Sequence, residues 1–138
     1  MIFQVVSAFF GVVCMSVVFG VPKKFLPYSG LVGAFGWLIY LIIGKPILLQ
    51  TFFATFIVSL LSHIFARLLK APGTVFLIPG ILPIVPGIGV YRIVYYAIEG
   101  ETKLSSYYLT QTIQVAGIIA LAIFIMDSIF KIIQLRKQ

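Results

Sequence analysis

The sequence predicts an all-α integral membrane protein, a bundle of about five transmembrane segments whose fourth is interrupted by proline and glycine. Three observations carry that expectation. Of the 138 residues, 62% are hydrophobic and only 9% are charged, where a soluble domain carries roughly 25% charged residues. The mean hydropathy of +1.18 says that such a chain cannot cover its apolar surface with polar groups. The apolar residues also fall into five stretches, separated by short connections that hold most of the charge. The length suits one transmembrane domain over residues 1–138, with no room for a second. A net charge of +7 is of the sign that suits nucleic acid, but the Lys and Arg residues stand singly or in pairs between apolar runs, as in membrane-protein loops.

Segment 1, about 2–21, has no charge and enough length to span. It lacks a basic n-region and is too long for a signal-peptide core, so it is expected to be retained. Gln4, Ser7, Gly11 and Cys14 fall at helical spacing, and this small, weakly polar stripe is expected to pack against a neighbouring helix. Cys14 has no internal partner and reads as a packing residue.

Segment 2, about 28–43, carries Gly30, Gly33 and Gly36, whose spacing allows close helix approach, with Trp37 and Tyr40 as bulk. Segment 3, about 46–69, opens on Pro46, which suits a first helical turn. Its Thr51, Thr55, Ser59 and Ser62 share one face. They read either as the polar wall of a pathway or, more commonly for such residues, as hydroxyls bonded to their own helix carbonyls.

His63 lies beside that stripe and is a candidate proton carrier. With no carboxylate near it in sequence, a packing or interfacial role is the stronger expectation. No His, Cys, Asp and Glu spacing supports a metal. Segment 5, about 107–133, ends with Asp127 and Lys131, four apart in the favourable acid-first order. An interfacial ion pair is expected there, with a proton or ion site at Asp127 as the alternative.

Segment 4, about 75–98, is the unusual one. Pro79, Gly80, Pro83, Pro86, Gly87 and Gly89 crowd its first half. Each interior proline costs a helix about 3 kcal/mol, and broken backbone at membrane depth survives only where protein or a water-lined cavity covers it. A helix that restarts near Gly89 puts Arg92, Tyr95, Tyr96 and Glu99 on one face. An intramembrane Arg costs about 2.5–3.5 kcal/mol on insertion scales, so Arg92 should face the interior, a partner or water. Its planar fork suits a carboxylate, and the free N–H groups of the restarting helix near Gly87 and Gly89 favour the same anion. The candidate substrate-binding residues are therefore Arg92, Tyr95, Tyr96, Gly87 and Gly89. The structural alternative pairs Arg92 with Glu99 and leaves the prolines as packing kinks. Glu99 also joins His63 and Asp127 as a proton or ion candidate.

If all five segments cross, one side receives seven cations (Lys23, Lys24, Arg67, Lys70, Lys131, Arg136 and Lys137) and the other two, Lys45 and Lys103. The positive-inside rule then puts the N-terminus outside and the C-terminus in the cytoplasm. A re-entrant segment 4 would reduce the contrast to five against four.

The run Lys70-Ala-Pro-Gly-Thr-Val-Phe-Leu-Ile-Pro-Gly-Ile-Leu-Pro-Ile-Val-Pro-Gly-Ile-Gly-Val-Tyr-Arg92, continuing through Tyr96 to Glu99 and Gly100, closely resembles the signature of the threonine/serine exporter family in its small-subunit form. The length and five-segment plan are similar over essentially the whole chain. The resemblance implies a two-component exporter of the inner or plasma membrane. In that form a second, large subunit is the partner; in fused single-chain members this part corresponds to the C-terminal membrane region. It further implies export of threonine, serine or related small carboxylates, driven by the proton gradient, with no cofactor. The absence of a P-loop pattern agrees with a drive other than ATP. No enzyme motif is present. The rival expectation is a non-transporting structural partner of the large subunit, and homo-oligomerisation is left open.

Overall fold

A computed structural model describes residues 1–138 as six α-helices and one 3-10 turn, without a strand. The helices are α1 (Ile2–Val18), α2 (Leu26–Ile43), α3 (Ile47–Leu69), α4 (Thr74–Ile81), α5 (Gly87–Ile98) and α6 (Thr102–Lys137), and the 3-10 turn is Lys23–Phe25. The stretches Lys23–Ile43, Ile47–Leu69 and Thr102–Lys137 are each long and apolar enough to cross a membrane. With α1 and the divided pair α4–α5, they make five transmembrane segments, the fourth interrupted.

Local chemistry sets the boundaries. Gly20, at a φ of +76°, stops α1, while Pro27 sits in the first turn of α2, where its missing N–H costs nothing. Lys70 adopts the left-handed conformation that ends α3. Gly100, also at positive φ, turns α5 into α6. No proline follows it, so α6 runs 36 residues, about 54 Å at 1.5 Å per residue.

The α2 glycines work as holes. Side chains of Phe9 and Val13 occupy the space over Gly30, Val12 that over Gly33, and Val58 of α3 that over Gly36. On the other side, Val32 of α2 seats against Gly80 of α4. These knobs knit α1, α2, α3 and α4 around a core of Phe25, Val32, Ala54, Val58, Phe76 and Ile84, to which α6 adds Val115 and Ile119.

The small stripe of α1 departs from expectation. Gln4, Ser7, Gly11 and Cys14 are exposed, and the buried residues of α1 are Val12 and Ser16. The glycine holes lie on α2, so α1 meets it with bulky knobs, and Gln4, Ser7 and Gly11 line open grooves beside Trp37 and Pro83 instead of packing closely.

The direction of α6 settles how segment 4 runs. Thr51, early in α3, lines the same cavity as Thr112 and Val115 of α6. His63, late in α3, meets Asp127, late in α6. The two helices are therefore parallel, and the chain between them must return across the bundle. A re-entrant segment would leave them antiparallel. Within that return, α4 packs on α2 and α3, whereas α5 packs on α6 and buries none of its own residues.

Candidate functional site

The helix breaks where its prolines leave no alternative. Pro79 is accommodated inside α4, but Pro83 and Pro86 lack the N–H groups that would carry the helix onward. The chain turns through Leu82–Pro86 and restarts at Gly87, capped by Pro86. Gly87 N–H donates to the Val85 carbonyl at 2.8 Å. The N–H groups of Ile88 and Gly89 make no backbone hydrogen bond, as expected of a first helical turn.

A cavity of about 280 Å³ opens at this break. The divided segment supplies Pro83, Ile84, Val85, Pro86, Ile88, Gly89 and Arg92. Trp37 and Tyr40 of α2, stacked at 5.0 Å, form a second wall. Ile47 and Thr51 of α3 and Tyr108, Gln111, Thr112 and Val115 of α6 close it. Its volume is near the lower end of the ~300–1,000 Å³ usual for ligand sites. Arg92 is the one charged residue in the lining, and no carboxylate faces it. Its guanidinium lies 5.1 Å from the Tyr108 ring centroid, a cation–π contact that holds the fork without consuming its hydrogen-bond donors. The site thus offers an anion a guanidinium, two free N–H groups and a helix dipole end.

The candidate residues distribute unevenly around this cavity. Arg92, Gly89, Pro83, Pro86 and Thr51 line it. Gly89 also lets α5 press onto α6, since a Cβ there would meet Thr112 Oγ1. Gly87 opens α5 beside the lining. Tyr96 is stacked on Tyr108 at 5.5 Å, and Tyr95 on Tyr91 at 6.0 Å, both outside the lining. Pro79 and Gly80 are buried in the α4 packing. Glu99 caps α5 and makes no salt bridge, so the Arg92–Glu99 pairing is not formed.

Thr51, Thr55 and Ser59 are buried, and their hydroxyls have no hydrogen-bond partner in the protein. Only Ser62 of the stripe bonds its own helix, to Val58 O at 2.7 Å.

At the opposite end of α3, His63 Nε2 lies 2.5 Å from Asp127 Oδ1. The imidazole stacks on Phe130 at 4.5 Å, and Arg67 covers the same ring at 4.7 Å. Asp127 therefore pairs across helices instead of with Lys131, because α3 and α6 run parallel and bring the two side chains to one level. Sequence reasoning missed Trp37, Tyr40, Tyr108, Gln111 and Thr112 as cavity lining. The polar and aromatic opening of α6, with Tyr108, Gln111 and Thr112 three and four apart, was the available signal.

Apolar helices around a cavity at a discontinuous segment are an arrangement found in membrane transport proteins. The chain belongs to the family described as Threonine/Serine exporter, ThrE, whose model matches residues 4–129. It is also similar to an uncharacterized protein of Haemophilus influenzae, 32% identical over 96 residues, which cover 67% of this chain and 32% of the relative. The match thus spans about a third of that relative's length. No solved structure matches.

Proposed function

We propose that this chain is the membrane subunit of a two-component secondary exporter of threonine, serine or related small carboxylates, driven by the proton gradient. One observation carries the substrate class. Arg92, Ile88 and Gly89 line a single small cavity that contains no acid, and the N–H groups of Ile88 and Gly89 have no backbone acceptor. A carboxylate there gains a bidentate guanidinium contact and the helix N-terminus, while the Gln111 and Thr112 side chains offer partners to hydroxyl or ammonium groups. The greater length of the Haemophilus influenzae relative is in keeping with a second set of spans fused to, or associated with, this unit. In this reading the protein resides in the plasma membrane, with the N-terminus outside and the cation-rich ends of α3 and α6 in the cytoplasm.

A second reading is favoured by α5, which buries no residue and leaves Ile88, Tyr91, Val94 and Ile98 exposed. Here the chain docks and stabilises the large subunit without touching substrate. Efflux of labelled threonine, serine and dicarboxylates from cells with and without this chain separates the two, when large-subunit abundance is measured in parallel. The exporter reading expects efflux to fall at constant large-subunit level. Efflux that merely follows the large-subunit level would overturn it.

A further inference from the structure

Three buried hydroxyls without a partner are unusual, because the great majority of buried polar atoms are hydrogen-bonded. Thr51 is 1% exposed, and Thr55 and Ser59 are fully buried. They stand four residues apart, and the next step of four is His63. The row begins in the Arg92 cavity, which Thr51 lines, and ends at the His63–Asp127 pair. Each step of four advances about 6 Å and winds about 40° around the helix. Over twelve residues the row covers about 18 Å and swings from the cavity toward the α6 face that carries Asp127.

We propose that Thr51, Thr55, Ser59 and His63 form a proton path joining the substrate cavity to the His63–Asp127 pair. The inference rests on the exporter reading and deepens it by assigning the route of the coupling ion. A rise of about 6 Å is two hydrogen-bond lengths of about 2.8 Å, so the path requires one water between successive hydroxyls. Each hydroxyl or water accepts one proton on a lone pair and passes its own proton onward. The last water protonates His63 Nδ1, because Nε2 is committed to Asp127. The imidazolium then gives up its Nε2 proton to Asp127, half exposed at 54%, and Asp127 releases it to bulk water. One proton has moved and every group is restored once the ring exchanges its tautomer.

Few groups bear on this exchange. From α6 the imidazole meets Asp127, with Lys131 a turn beyond, and from α3 itself Arg67 lies over the shared Phe130 ring. The titratable contribution of α2 to this part of the bundle is Tyr28, seated on Phe65. The α4 helix contains no titratable residue.

The test separates coupling from binding, using membrane vesicles from cells that make the full chain together with its native membrane partner. Labelled-substrate exchange with no pH gradient reads the cavity. Accumulation driven by an imposed pH gradient reads the proton path. Thr55→Val and Ser59→Ala should lower gradient-driven accumulation tenfold or more while leaving exchange within about twofold, and Thr55→Ser should restore coupling. His63→Gln should behave as Thr55→Val does. Coupling unchanged in Thr55→Val and Ser59→Ala would overturn the path. So would exchange falling in step with coupling, since the hydroxyls would then be substrate contacts or packing. No exchange by the unsubstituted protein would overturn the exporter reading, and the path with it.

Discussion

His63 and Asp127 lie 64 positions apart in the chain, yet Nε2 and Oδ1 approach to 2.5 Å. The contact closes α3 onto α6 at the end remote from the cavity, and Phe130 fixes the imidazole plane beneath it. A hydrogen bond to a charged group contributes about 1.5–3 kcal/mol, and exposure of Asp127 reduces that toward about 1 kcal/mol or less. His63→Ala and Asp127→Ala should each lower the thermal unfolding midpoint in detergent, and the double variant should lose less than the sum. Lys131→Ala should shift stability by no more than about 0.5 kcal/mol. Strict additivity of the first pair would show that the contact contributes nothing.

Arg92 is the sole charge in the cavity. Losing a fork-to-carboxylate pair of about 1.5–3 kcal/mol corresponds to about tenfold to a hundredfold in affinity. Arg92→Gln should therefore raise the half-saturating substrate concentration by at least about tenfold. Arg92→Lys keeps the charge but loses the fork and should fall between the two. Both should assemble normally. Wild-type transport by Arg92→Gln at equal expression would remove the substrate role.

The approach of α2 to α3 depends on Gly36, where a Cβ would overlap Val58 Cγ2. Gly36→Ala should destabilise by about 1–3 kcal/mol through overpacking. Adding Val58→Ala should recover part of that loss, although Val58→Ala alone is destabilising. Thermal unfolding of the four proteins measures the coupling, and its absence would mean that the helices separate freely.

Parallel α3 and α6 put Arg67, Lys70, Lys131, Arg136 and Lys137 toward one end of the bundle, the end that the proposed orientation faces to the cytoplasm. With Cys14→Ser as background, Gln138→Cys should resist an impermeant thiol reagent in intact cells and react after permeabilisation. Labelling in intact cells would reverse the orientation.

Much of this arrangement is readable in the residues. Hydrophobic runs give the segments, since a bilayer imposes length and apolarity on each span independently. Pro83 and Pro86 give the break by local sterics alone, and Arg92 gives a functional candidate through its insertion cost. The walls opposite Arg92 are only partly readable: the polar opening of α6 marks Tyr108, Gln111 and Thr112, but whether they or Trp37 face the cavity depends on helix rotation, and only packing fixes that. The pairing of Asp127 shows the same limit: Lys131 is its neighbour in sequence, but the direction of α6 selects His63. The α1 stripe fails for a related reason. Small residues permit close approach without dictating it, and the holes that α1 fills belong to Gly30 and Gly33.

The division of segment 4 has a mechanical meaning. A continuous helix is one rigid rod, and its two halves must share a single axis and rotation. Cutting it at Leu82–Pro86 lets α4 take its orientation from Val32 through Gly80, and α5 take its own from Thr112 through Gly89. Each half is geared to a different neighbour. The cavity is the gap left where the two orientations fail to join, so any sliding of α6 against α2 must change its width.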